Sequence, residues 1–389
     1  MASISRPTST TQPWYSGQFA TLGASYLGFA QWALLRDPPE DCVASIMPSS
    51  PHDFFEYQWG TGSVKLERVN WADLVAHQEE PTWFPPQLRV FMNEETLRPV
   101  VEAIPLLENV LNSSAAKEVS LKDSLTRPDP DDEYWMPMRH HDSLKRVHHS
   151  VYLVTGCPES IPDMLRILDD SFGLRATWGG AKPSSARIFV NGAGEWRTMP
   201  DFPPRGKPLT LYLHADNSLS TAETGAVEGS ASFAYEPSNP TPTLGGPLLT
   251  ALEGRRTISK LWASPSFTSR TRARPPHVDL FVRLSEVDSQ GVSYNVTDVY
   301  RALDPKRGGD SIALYLNHCA HRFREGTMVR LVVAGGSFPL YARNLGTGEL
   351  RTVGREMRSV RHTLSLSSGA SRLVLPVTSK SYKRFPIEG

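Results

Sequence analysis

The chain has 389 residues, too many for one small core, and its 41 Lys and Arg balance 41 Asp and Glu. Two or three domains are expected, and zero formal charge leaves no electrostatic footprint for nucleic-acid phosphates or acidic lipid surfaces. Three cysteines, Cys42, Cys157 and Cys319, are odd in number and far apart. That excludes a disulfide framework or a paired-cysteine zinc site and fits a reducing compartment. Met1 to Thr11 is rich in Ser and Thr without an apolar stretch, and no run approaches the roughly 18 apolar residues of a membrane span. A cytoplasmic location is expected, with residues 1–12 as a disordered lead and no membrane partner.

Gln18 to Leu22 reads as a short strand, and Gly23 to Gly28 turns the chain into a buried helix over Phe29 to Leu35. Asp37-Pro38-Pro39 stops that helix. Cys42 to Met47 is then a short apolar strand, so residues 18–47 form a strand, helix, strand unit of parallel α/β type. Further on, Leu97 to Leu111 places apolar residues at 97, 100, 101, 104, 107, 110 and 111, the period of one amphipathic helix. Residues from about 54 to 146 thus read as a helical insertion above a sheet, closing through the polar turn Arg127 to Glu133. Ser150 to Thr155 predicts another parallel strand, leading to a helical pattern over Asp163 to Leu168. From about Ser184 the texture changes to short alternating runs between Pro and Gly, such as Leu209 to Leu213, Val278 to Leu284 and Val329 to Val333. This is the signature of an antiparallel sandwich, with Arg372 to Val377 as its expected last strand.

Ser25 stands between a strand and a helix with Gly23 two residues before it, the layout of a nucleophile elbow. A tight turn of that kind lifts the hydroxyl above the sheet, and glycine is needed where a Cβ would collide. The second glycine falls at Gly28 and not at the usual position of Leu27. A helix-capping serine fits the same spacing, because Ser is a good N-cap.

Trp14-Tyr15-Ser16-Gly17, Gly23-Ala24-Ser25-Tyr26-Leu27-Gly28 and Gln31-Trp32 resemble the cocaine-esterase and X-Pro dipeptidyl-peptidase family of serine hydrolases, whose elbow reads G-x-S-Y-x-G. Leu27 is normal for that pattern. The resemblance continues in Pro51 to Phe55, Pro130 to Trp135, Val190-Asn191-Gly192 and Glu195-Trp196-Arg197. It is densest in Tyr212 to Asp216, Pro242 to Gly246, Asn295 to Asp298, Ala320 to Arg324 and Ala342 to Glu349, all in family order.

What the resemblance implies is an α/β plus all-β chain that hydrolyses ester or amide bonds through an acyl-enzyme. Residues 13–183 would be a partial α/β-hydrolase domain with a helical cap at about 54–146, and residues 184–389 a C-terminal jelly-roll β-sandwich. Carried over, Ser25 would be the nucleophile and the backbone N–H of Tyr26 an oxyanion donor. The family carboxylate follows a strand in a G-W-x-D pattern, met here by Gly156-Cys157-Pro158-Glu159. Glu159 is the expected acid and Asp163 the second choice, while a solvated carboxylate near a helix start is the plain reading of Glu159. No histidine stands between Glu159 and Ser184, and the first one beyond is His214 in a sandwich strand. The family's earlier strands also have no counterpart ahead of Ser25, so a shortened paralogue, a partner-dependent fragment or an incomplete gene model is expected. Two functions stay open: a serine hydrolase of the esterase or dipeptidyl-peptidase type, and a catalytically degenerate binding protein.

The remaining constellations read as structural. His140-His141 and His148-His149 flank Lys145 and Arg146 without carboxylates at ligand spacing, which predicts a solvated basic helix face and no metal. Cys157 is read as a small buried thiol and His321 to Gly326 as a turn before a strand. Trp14, Trp32, Trp59 and Trp71 are read as packing residues, and Asn295-Val296-Thr297 as a chance glycosylation tripeptide. No cofactor is expected, the partner being a small ester or peptide substrate, with self-association left open.

Overall fold

The computed structural model describes residues 12–80, 96–154, 186–200, 203–204, 206–223, 229–243, 266–269, 271–274, 277–303, 312–366, 370–378 and 383–385. The expected acid Glu159, its alternative Asp163, Cys157 and the helical pattern at 163–168 lie outside the described residues. The chain is mixed α/β, with mostly strands and few helices, and divides into two compact units, residues 1–57 with 129–183 and residues 58–128 with 184–389. Among the described residues no helix is long and apolar enough to cross a membrane.

The first unit is built on a parallel sheet in the order β1 (Phe19–Leu22), β2 (Cys42–Pro48), β3 (Ser150–Val154). The central strand β2 is buried along nearly its whole length, as expected of a parallel strand with neighbours on both sides. Helix α1 (Tyr26–Leu34) connects β1 to β2 and ends before Asp37-Pro38-Pro39, where proline cannot continue it. Trp32, Leu35 and Met47 form the apolar core here, with Val147 and Val151 packed against them. All three sheet strands match the sequence expectation to within a residue or two.

The second unit carries the remaining strands. In chain order they are β4 (Ala186–Val190), β5 (Glu195–Met199), β6 (Lys207–Leu213), β7 (Leu219–Ser220), β8 (Ser230–Tyr235), β9 (Ser266–Ser269) and β10 (Thr271–Arg274), then β11 (Val278–Val287), β12 (Ser293–Leu303), β13 (Ile312–Tyr315), β14 (Met328–Ala334), β15 (Val360–Ser365), β16 (Arg372–Val377) and β17 (Lys383–Phe385). They pair antiparallel in sheets ordered β10-β15-β8, β12-β11-β14, β13-β9-β16-β6-β7 and β17-β5-β4. The core gathers Leu280, Val282, Leu284, Val296, Leu314, Leu316, Leu373 and Leu375 from β11, β12, β13, β16 and the residue after β13. Helix-rich residues 58–128 fall in this same unit. Leu66 N–H bonds Leu340 O at 3.1 Å, Ala342 N–H bonds Val64 O at 2.9 Å, Leu107 N–H bonds Thr352 O at 2.7 Å, and Thr352 Oγ1 donates to Leu125 O at 2.9 Å.

Several expectations are corrected. The single helix read over 97–111 is two, a helical stretch at 96–102 and a helix at Leu106–Leu111, because Pro105 supplies no N–H to carry the ladder across. Arg372–Val377 is not the last strand, since β17 follows and pairs with β5. The basic segment at 140–149 is no solvated helix face: it holds one short turn at Ser143–Arg146, and His140 is buried. Trp14 is 73% exposed and so packs little, whereas Trp32 and Trp59 are core residues. Strand β11, expected to alternate, is buried at every position: β12 and β14 pair with its two edges, and both of its faces are covered. Thr297 of the glycosylation tripeptide is buried on β12 and donates to Asn317 O at 2.8 Å.

Candidate active site

The first unit holds two non-glycine residues at positive φ among those described, Ser25 in the turn between β1 and α1 and Ser49 just after β2. Ser25 has φ 55° and ψ −120°, a conformation that L residues rarely adopt and that persists only where surrounding structure enforces it. Ser25 N–H donates to Pro48 O at 3.0 Å, and Gly23 N–H donates to Ile46 O at 3.1 Å, so β2 holds both sides of the turn. The Ser25 carbonyl already accepts from Gly28 N–H and Phe29 N–H, each at 3.1 Å, which opens the helix.

Sterics explain both glycines. A Cβ on Gly23 would lie 2.6 Å from Leu27 Cβ, and one on Gly28 would lie 2.5 Å from Ser50 Cβ and 2.9 Å from Gly23 O. The glycine at position 28, which the general elbow pattern does not require, is thus demanded by the loop after β2. Ser25 occupies the N-cap position, yet its side chain makes no capping hydrogen bond. Ser25 is exposed, and it does not perform the capping role open to a serine at this position. Tyr26 is the first residue of α1, so its backbone N–H lies at the positive end of the helix.

A polar chain runs beneath this turn. Gln31, buried on α1, donates from Nε2 to Gly23 O at 3.3 Å and to Ile46 O at 3.1 Å, and its Oε1 accepts from Thr21 Oγ1 at 2.6 Å. Thr21 Oγ1 also reaches Ser45 Oγ at 3.0 Å, and Ser45 Oγ meets His149 Nε2 at 3.1 Å. Cys42 ends this chain, its Sγ 3.6 Å from His149 Nε2, and burial pushes its thiol pKa up, which makes it a poor nucleophile. Sequence reading named Gln31 only within a motif. The available signal was one amide inside the apolar run Phe29 to Leu35, because a buried polar residue requires partners.

Asp53, also buried, follows β2 and accepts from Glu56 N–H at 3.0 Å at the start of the helix Phe54–Trp59. Arg139 Nε stands 3.6 Å and His141 Nε2 2.6 Å from its Oδ2, though neither approach is aligned as a hydrogen bond. His140 packs on Phe29 with ring centroids 4.9 Å apart, and burial lowers its pKa to about 4. Among the described residues no group of three His, Cys, Asp or Glu gathers as a metal site.

In the second unit the His321 cluster has a structural task. Glu286, buried on β11, accepts from His321 Nε2 at 2.9 Å and from Arg324 N–H at 2.9 Å and Nε at 3.1 Å, tying the loop before β14 to the sheet. Burial works to raise the Glu286 pKa, but these donors, with Arg324 N–H foremost, bring it down to about 2. His214, the first histidine in the sequence after Glu159, meets Ser220 Oγ at 2.8 Å across the β6–β7 pair.

A serine at positive φ thus stands between a parallel strand and the helix that follows it. Residues 8–162 match the family model of X-Pro dipeptidyl-peptidase (S15 family), so the family resemblance read from the sequence is borne out over that segment. The chain is similar in structure to an aminopeptidase from the marine sediment archaeon Thaumarchaeota archaeon, with a TM-score of 0.73 at 14% identity over 94% of this chain and 77% of that one. It is similar to an alpha-amino acid ester hydrolase, with a TM-score of 0.69 at 15% identity over 93% and 77% of the two chains. A CocE/NonD family hydrolase from Staphylococcus aureus gives a TM-score of 0.58 at 13% identity over 95% and 74%. At such identities the likeness shows the fold. No curated protein matches the chain.

Proposed function

We propose that this chain is a serine hydrolase of ester or amide bonds working through an acyl-enzyme on Ser25. The observation that carries the reading is the backbone of Ser25, at φ 55° and ψ −120°, with its hydroxyl left uncapped. Strain of this kind is unfavourable in a plain helix start, where an N-cap serine at ordinary angles would stabilise the helix. In the proposed reaction Ser25 Oγ attacks the carbonyl carbon, Tyr26 N–H donates to the developing oxyanion, and the acyl group passes to Oγ as the alcohol or amine leaves. Water then releases the acid and restores the hydroxyl. Glu159 is the carboxylate of this scheme, with Asp163 as the alternative. The strand-rich unit is read as the jelly-roll partner of the hydrolase fold. Likeness to an aminopeptidase and to an amino-acid ester hydrolase makes peptides and amino-acid esters the substrate classes to try first.

The absence of histidine between Glu159 and Ser184 favours the second reading, a degenerate relative that binds without turnover. A fluorophosphonate probe and peptide mass spectrometry separate the two. Labelling of Ser25, together with hydrolysis of nitrophenyl esters or X-Pro anilides that Ser25→Ala abolishes, establishes the hydrolase. Purified, folded chain that neither labels nor turns over above the Ser25→Ala control establishes the degenerate relative. Loss of one triad member commonly costs several orders of magnitude, so the assay must resolve slow turnover.

A further inference from the structure

We propose that Gln31 is the positioning residue of Ser25, holding the elbow in its strained geometry from the second turn of α1; the proposal rests on the reading of Ser25 as nucleophile. One carboxamide joins three pieces of backbone structure. Its two N–H bonds reach the Gly23 carbonyl in the turn and the Ile46 carbonyl of β2, and its oxygen receives Thr21 Oγ1 of β1. Ile46 O has a second donor in Gly23 N–H, and Thr21 has a second contact in Ser45. Loss of the amide therefore falls hardest on the Gly23 carbonyl, which begins the two peptides leading into Ser25. Gly28 packs against that same carbonyl, where a Cβ would stand 2.9 Å away, so the oxygen is wedged between a glycine and an amide donor. The bare face of Gly23 leaves room for the arrangement, since a Cβ there would come within 3.1 Å of Gln31 Nε2. A buried amide with both its donors and its oxygen engaged is oriented in one way only, and it can transmit that orientation to the turn.

The test uses the full chain with Gln31→Met, which keeps length and removes the hydrogen bonds, and Thr21→Val, which removes the hydroxyl that orients the amide oxygen. Hydrogen exchange of the peptide covering residues 23–28 is expected to rise about tenfold in Gln31→Met, the effect of losing one buried hydrogen bond, with a smaller rise in Thr21→Val. Exchange over residues 42–48 is expected to stay unchanged. The rate of fluorophosphonate labelling at Ser25 is expected to fall about tenfold, and where turnover is measurable kcat falls while KM holds. Equal loosening across α1 and β2, or turn exchange within twofold of the parent, overturns the proposal. If Gln31→Met does not fold, Thr21→Val is judged by the same readouts. A parent chain that never labels sinks the hydrolase reading, and the exchange comparison still decides whether Gln31 holds the turn.

Discussion

Arg351 grips Asp279 through two hydrogen bonds, Nη1 to Oδ2 at 2.5 Å and Nη2 to Oδ1 at 2.6 Å, with Asp279 wholly buried on β11. Tyr300 OH also donates to Asp279 Oδ2, and Asn344 Nδ2 donates to Oδ1 at 2.9 Å, so the carboxylate is surrounded by donors from β12 and from the segment between β14 and β15. Asp279 raises the Arg351 pKa against the opposing effect of burial, and the guanidinium stays charged. Removing one partner leaves a buried charge alone, which commonly costs about 3–5 kcal/mol. Arg351→Met is expected to lose stability on that scale by urea unfolding, and Arg351→Met with Asp279→Leu is expected to recover part of it. A double variant no better than the single one would show that the pair contributes through the other donors alone.

Acid stability of the second unit is expected to depend on His362. Its ring stacks on Phe233 with centroids 4.6 Å apart and planes 5° apart, and among the described residues neither ring nitrogen has a hydrogen-bond partner. Burial lowers its pKa to about 4, with the Asp279 charge working the other way. The unfolded chain, with an ordinary imidazole near 6.5, binds more protons between those two values. Stability from the neutral ring is therefore complete above about pH 6.5, is lost as pH falls toward about 4, and amounts to at most roughly 3 kcal/mol. Urea midpoints measured across this window should decline in the parent and flatten in His362→Leu.

Gly28 is a helical residue, so an alanine there would ordinarily stabilise by about 1 kcal/mol through propensity. Here the added methyl would meet Ser50 Cβ at 2.5 Å and the Gly23 carbonyl at 2.9 Å. Backbone cannot yield as a side chain can, so overpacking of about 1–3 kcal/mol should win. Gly28→Ala is expected to lower Tm, and Ser50→Gly in the same chain to restore part of the loss. A Tm unchanged or raised in Gly28→Ala would mean that the loop after β2 gives way freely.

Leu373 on β16 has no exposed surface and belongs to the core shared with β11, β12 and β13. Leu373→Ala should cost about 2–5 kcal/mol, whereas Val377→Ala, at the exposed end of the same strand, should fall within about 0.5 kcal/mol of the parent. Chemical denaturation of the two variants checks the contrast, and comparable losses would place the core elsewhere.

Local pattern carried the reading of the first unit. Short apolar runs bounded by Gly and Pro are enough to mark β1, α1, β2 and β3, because period and breakers are properties of neighbouring residues. The same holds for the elbow, where Gly23, Ser25 and Gly28 are close in the chain and the collisions that demand them are between near neighbours and one loop. At Pro105 the apolar period runs on through the proline, yet the helix breaks there because the ring nitrogen has no hydrogen to donate.

Pairing across distance was a different matter. Alternation predicts one solvent face on a strand, but β11 acquires a partner on each edge and cover on both faces, so Asp279, Arg283 and Glu286 are buried. Their counter-charges, Arg351, Asp298 and Arg324, come from other parts of the chain, and no spacing rule links them. Gln31 is the same case on a smaller scale: sequence shows an amide in an apolar helix, and only the approach of β1 and β2 decides that it holds the Gly23 carbonyl. Periodicity and turn chemistry are written into adjacent residues. The partner of a buried polar group is chosen by whichever segment the fold brings within about 3 Å.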